Sequence, residues 1–252
     1  MLEWYMKGVK PPWTLGGYCM MIFYLVSSKR MVSFVPSPLE VADVLPGLTL
    51  SGLYAASYNT GSFGVLSEFS AFPALVRYKK KKGFYVPCSK VESHEEAYRH
   101  QGAWGLQKEQ AVFEWKKDRN RHILTVQCEG KKIIEIRFSA KKISIPVRVS
   151  FPFFHVRGNG VVSYHADYAA RVHLSTSAVD IPESSPLAIY GFRRKLLTTF
   201  WESSKIVLHP PEFENMVIPE GVSEGIFRVG QDQRETCGVK KTADDCRTCH
   251  TV

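Results

Sequence analysis

No stretch of this 252-residue chain reaches the roughly 20 consecutive apolar residues that a membrane-spanning helix requires. The mostly apolar run at residues 15–26 is too short. Pro11-Pro12-Trp13 precedes it and no clean small-x-small cleavage site follows, which argues against a secretory leader. That run reads as a buried strand. The lysine-bearing phosphate loop, the HExxH of zinc proteases and the GxSxG of serine hydrolases are missing, so those enzyme classes lose their anchors. Gly158-Asn159-Gly160 lacks the spacing and the following helix of a dinucleotide loop and reads as a hairpin turn.

Cysteine is scarce. Cys19, Cys88 and Cys128 stand alone in apolar or alternating segments, and Cys237, Cys246 and Cys249 crowd the C-terminal end. This is no disulfide scaffold, and a reducing cytoplasm is the expected setting. Helix-forming periodicity is scarce as well, and no βαβ alternation appears, which excludes a doubly wound nucleotide fold.

What is present is ordinary globular composition, 44% hydrophobic and 23% charged, which excludes disorder, collagen and coiled coil for the bulk. The net charge of +9 permits anionic partners without identifying one. Lysines 79–82, Lys116-Lys117, Lys131-Lys132 and Lys141-Lys142 sit at expected turns with no stacking aromatics among them. They read as a solvated rim rather than a nucleic-acid surface.

The pattern is strand after strand. His122, Leu124, Val126 and Cys128 alternate with Ile123, Thr125 and Gln127, and Ile134, Ile136 and Phe138 with Glu135 and Arg137. Residues 48–58, 65–78, 84–91, 110–115, 143–156 and 161–178 read as further strands. Short helices are expected within 32–44, from the capping box at Ser93 and Glu96 to about residue 101, and over 192–203. About ten strands with short connections predict a mainly β fold with few α elements, an antiparallel sheet that is closed or strongly curled. Residues 1–215 form the expected domain. Residues 216–252 read as a polar tail in which apolar density collapses. Cys246-Arg-Thr-Cys249-His250 has the spacing of a haem-c attachment, and Cys237 would add a third thiol for zinc; the preferred reading is an unstructured tail with incidental cysteines. No cofactor or metal is expected.

The most informative segment is Trp104-Gly105-Leu106-Gln107-Lys108, where a lysine enters a strand after a short helix and a Trp-Gly pair. A lysine amine withdrawn from water is held less firmly as the ammonium, and the neutral amine attacks carbonyls. By spacing alone, a strand-end lysine reaching water is the plainer alternative.

With its flanking motifs the chain resembles the acetoacetate decarboxylase superfamily, which includes the plant neoxanthin-deficient-like proteins. The resemblance rests on Pro11-Pro12-Trp13-x-Leu15-x-Gly17, Leu45-Pro46-Gly47-Leu48 leading to Gly52-x-Tyr54, Gly64-Val65-Leu66-Ser67-Glu68 and Trp104-Gly105-Leu106-x-Lys108-x-x-Ala111. It implies a cone-shaped antiparallel β-barrel, a Schiff base on Lys108 and an acid at Glu68, with Trp104, Leu106 and Tyr54 lining the substrate site. It also implies a small keto acid substrate, a carbon–carbon lyase reaction and a possible homo-oligomer. Around the lysine the family commonly reads Gly-Arg-Glu-x-Trp-Gly-x-Pro-Lys-Lys. Here the Arg and Glu are absent, Gln107 replaces Pro and Glu109 replaces the second lysine. A second acidic position of the family's pocket falls on Leu53. An acid facing Lys108 would hold its ammonium, although strand neighbours point to opposite faces. The alternative reading is a catalytically silent barrel that binds an apolar ligand or a partner.

Overall fold

Period-two alternation buries both faces of the sheet along its first strand. In the first strand, β1 (Trp13–Ser27), Met20, Ile22, Tyr24 and Val26 join one apolar cluster, while Leu15, Cys19 and Met21 join another. A half-exposed sheet would show one polar face; here strand residues of both parities are apolar, so each face has its own core. The computed structural model describes residues 11–62, 64–93, 106, 108–118, 121–158 and 160–215. All of them belong to the first of the chain's two units, Met1–Met216. The expected tail with its CxxCH motif, and the helix expected beyond Ser93, lie outside the described residues.

The next strands in order are β2 (Glu40–Val41), β3 (Leu48–Gly61), β4 (Leu66–Phe72), β5 (Leu75–Tyr78) and β6 (Lys81–Tyr85). They are followed by β7 (Cys88–Val91), β8 (Lys108–Gln110), β9 (Val112–Asp118) and β10 (Arg121–Cys128). Last come β11 (Lys131–Arg157), β12 (Gly160–Asp180), β13 (Arg194–Leu208) and β14 (Glu212–Asn215). The main path of the sheet runs β2-β5-β6-β11-β12-β13-β1-β3-β4-β7-β8, with β10, β9 and β14 attached beside it. The fold is mainly β, as the alternation predicts.

Three expectations need correction. The sheet is not a closed ring among the described residues: β2 and β8 end the path without pairing to each other. It is not wholly antiparallel either, because β6 runs parallel to β11 and β7 parallel to β8. The helix expected over 192–203 is strand β13. Its residues pair with both β1 and β12, and those two ladders of backbone bonds override the local preference. In the stretch 32–44 there is a 3₁₀ turn at Val32–Phe34 and the short strand β2, with the four-residue helix α1 (Ser28–Met31) just before.

The long ribbon β11–β12 merges strands that the sequence pattern kept apart, and it turns at Gly158, whose φ of +55° suits glycine. Pro146 and Pro152 are tolerated because, among the described residues, each pairs with β12 alone, so the missing N–H groups break no second ladder. The lysine turn is a hairpin tip, with Tyr78 paired to Lys81 across it and Lys79, Lys80, Lys81 and Lys82 exposed. No helix among the described residues is long and apolar enough to cross a membrane.

Candidate active site

On β3 the alternation sorts the side chains. Leu53 and Ala55 face the first cluster, whereas Tyr54, Ala56 and Tyr58 face the second. The second cluster surrounds a cavity of about 70 Å³, by a measure in which a water molecule needs roughly 10–15 Å³. Leu15, Met21, Phe72, Phe84, Phe153 and Ile206 are among its apolar wall. Glu68 and Lys108 are the charged side chains of that wall among the described residues.

Lys108 and Glu68 meet there. The Nζ of Lys108 donates to Oε1 of Glu68 at 2.7 Å, with the two side chains 2% and 13% exposed. β4 presents Glu68, and β7 lies between β4 and β8 in the path, so a side chain as long as lysine is needed to bridge the gap. The parallel pairing sets Ser89 opposite Lys108 and Lys90 opposite Glu109. Glu109 therefore does not face Lys108. It forms an ion pair with Lys90, itself 7% exposed, on the other face. The acid that replaces the family's second lysine is thus already engaged by another cation.

Leu106 and Tyr54 line the same cavity as Lys108 and Glu68, so four of the five residues singled out in the sequence come together. Trp104 lies outside the described residues. Leu53, matched in the sequence to a second acidic position of the pocket, is 1% exposed in the first cluster and does not line the cavity. Tyr54, one residue along, has the parity that reaches it.

A group of phenols completes the site. Tyr58 donates to Oε2 of Glu68 at 3.4 Å, and the hydroxyls of Tyr54 and Tyr58 lie 2.6 Å apart. Tyr168 packs edge-on against Tyr54 with ring centroids 6.4 Å apart, and Tyr164 also lines the cavity. Burial above all holds the Tyr54, Tyr58 and Tyr168 hydroxyls well above the ordinary range of a phenol; the Glu68 carboxylate is the next cause for Tyr58, and neighbouring Tyr and Cys groups for the others. They are neutral donors at any physiological pH. Behind them, burial pushes the Cys19 thiol up to about 12, against the lowering effect of bonds to Ser204 and Tyr54. Ser70 and Ser89, also on the cavity wall, bond to each other at 2.6 Å.

Sequence reasoning did not single out Tyr58, Tyr164 or Tyr168. The signal was available as even spacing: Tyr54 and Tyr58 on β3, and Tyr164 and Tyr168 on β12, each pair four apart and hence on one face. Chemically the site offers a primary amine, one carboxylate in hydrogen-bond reach of it, and several neutral O–H donors, inside apolar walls.

Comparisons with known proteins agree with the strand architecture. A solved acetoacetate decarboxylase from Legionella pneumophila superposes with a TM-score of 0.65 at 12% identity, covering 81% of this chain and 88% of that one. The enduracididine biosynthesis enzyme MppR complexed with pyruvate gives 0.64 at 14% identity, covering 82% and 91%. An acetoacetate decarboxylase-like enzyme from Sphingomonas wittichii RW1 gives 0.57 at 11% identity, covering 83% and 95%. At such identities the likeness is one of fold. No curated protein matches the sequence. The family model described as acetoacetate decarboxylase (ADC) matches residues 5–186, most of the domain described above. The chain belongs to the acetoacetate decarboxylase family.

Proposed function

We propose that the protein is a Schiff-base carbon–carbon lyase that acts on a small keto acid through Lys108, with Glu68 as its acid–base partner. The observation that carries this reading is the buried Lys108 amine at the cavity, 2.7 Å from the Glu68 carboxylate. Transfer of an ammonium proton to Glu68 frees the nitrogen lone pair for attack on the substrate carbonyl. Glu68 then returns the proton to the carbinolamine oxygen, which leaves as water and yields the iminium. The iminium accepts the electron pair of the breaking carbon–carbon bond. In a decarboxylation carbon dioxide departs, and the resulting enamine is protonated on carbon and hydrolysed back to the amine and a ketone or aldehyde. In an aldol-type reaction the enamine attacks a second carbonyl instead. Tyr54 and Leu106, with Trp104, contact the substrate in this reading, and the neutral phenols donate to its oxygens.

Family membership supports lyase-type chemistry, and so does the complex of MppR, a protein of this fold, with pyruvate. One observation favours a second reading, a catalytically silent protein of this fold that binds an apolar ligand: most of the side chains that line the cavity are apolar.

Borohydride trapping with a panel of keto acids and aldehydes, followed by peptide mass spectrometry, tests the proposal. A reduced adduct on Lys108, absent in Lys108→Ala, is the expected result. A folded sample that forms no adduct with any carbonyl overturns it in favour of the silent binding protein.

A further inference from the structure

The sheet face opposite the cavity carries a second cluster of chemistry. Ala166 and Tyr168 of β12 line the cavity, so the residues of the other parity, His165 and Asp167, stand on the outer face two positions apart. Just past the end of β13, His209 comes level with His165. The β12–β13 register sets Ala166 opposite Leu208, and the His209 N–H donates to the His165 carbonyl at 3.1 Å. The two imidazoles stack with centroids 4.0 Å apart, and His209 Nε2 lies 2.8 Å from Asp167 Oδ2. One ligand-type atom from each of the three residues lies within 4.8 Å of the others.

We propose that His165, Asp167 and His209 form a site for a borderline divalent transition-metal ion of the zinc type. Two imidazoles and a carboxylate are the donor set such ions favour, at about 2.0–2.2 Å from the metal. A tetrahedral ion then needs its donors about 3.3–3.5 Å apart. The cross-strand register already holds the three residues side by side, and binding would draw their donor atoms, now within 4.8 Å of one another, to that spacing. An aspartate is ionised at neutral pH, so Asp167 supplies the anionic ligand. Ser150 stands opposite Asp167 in the β11–β12 ladder. Three protein ligands leave a position for water or for a small anion. Ala166 and Leu208, which flank the donors in sequence, line the cavity on the reverse side, so a bound ion would fasten together the two strands that form that wall.

The test uses the full chain with Cys237, Cys246 and Cys249 changed to Ser and His250 to Ala, because those residues would chelate zinc on their own account. Zinc titrated calorimetrically into this chain is expected to bind at one equivalent with a Kd on the order of micromolar, and to raise the melting temperature by mass action. His165→Gln and His209→Gln are each expected to weaken binding at least ten-fold, and Asp167→Asn to weaken it while the metal-free chain stays folded by circular dichroism. His173→Ala, a histidine outside the cluster, is expected to leave it intact. Absence of saturable binding, or binding that survives all three cluster substitutions, overturns the proposal.

Discussion

Lys108 and Glu109 are consecutive residues that belong to different environments. Lys108 reaches Glu68 in the cavity at 2.7 Å, while Glu109 pairs with the nearly buried Lys90 on the opposite face. The two ion pairs lie back to back across one strand, and neither acid competes for the other's lysine.

Glu109→Gln is therefore expected to spare the chemistry and weaken the fold. Lys90 would keep its charge in a 9% exposed site while losing the carboxylate that faces it. Because Glu109 itself is a third exposed, the cost is expected at about 1–2 kcal/mol, below that of a fully buried pair. Urea denaturation measures that loss, and borohydride trapping of Lys108 in the same variant is expected to stay within about two-fold of the parent.

Glu68→Gln should show the converse. The amide keeps the size of the carboxylate and a hydrogen-bond acceptor but cannot take or return the ammonium proton. Loss of general acid–base assistance predicts a fall in trapping rate of about 100-fold or more, with the variant still folded by circular dichroism. A trapping rate equal to the parent's would remove Glu68 from the mechanism.

Gly17, part of the motif that carries the family resemblance, is required for a steric reason. A Cβ at this position would meet the Ser57 carbonyl oxygen at 2.1 Å and Tyr58 Cα at 2.8 Å, both backbone atoms of β3. Backbone cannot swing aside as a side-chain tip can. Gly17→Ala is expected to cost about 2 kcal/mol or more and to disturb Tyr58 on the cavity wall, read as a lower urea midpoint and slower trapping.

Alkali should unfold the protein cooperatively. The hydroxyls of Tyr54, Tyr58 and Tyr168 are held well above the ordinary value of 10 in the folded state, chiefly by burial, and Tyr24 is pushed up to about 12. Above pH 10 the unfolded chain releases these protons and the folded chain retains them. Stability is thus complete below that pH and falls as pH rises, by up to about 1.4 kcal/mol per pH unit for each such phenol. The phenolate absorbance of these residues should appear in one step with the loss of circular dichroism. Gradual titration of all tyrosines in a chain that stays folded would contradict the burial that closes the site.

Much of this was legible in the amino-acid order. Strand identity followed wherever period two was sustained, as in His122 to Cys128 paired with Lys131 to Phe138, because one-dimensional alternation is a direct image of two opposed sheet faces. It failed at β13, whose aromatic and polar residues carry no clean period; that segment is a strand because β1 and β12 flank it. The meeting of Lys108, Glu68, Leu106 and Tyr54 was foreshadowed only by family motifs, since nothing local ties residue 108 to residue 68.

The amino-acid order by itself determined the mainly β class, the hairpin turns, the absence of a nucleotide fold and the family to which the chain belongs. These are local or motif-level properties, set by side-chain period and by glycine and proline at particular bends. Only the tertiary structure decided which parity of each strand faces the cavity, and so that Tyr54 rather than Leu53 lines it. It alone paired Glu109 with Lys90, left the sheet open at β2 and β8 among the described residues, and set His209 against His165. Such facts depend on register between segments distant in the chain, where a shift of one residue exchanges the two faces.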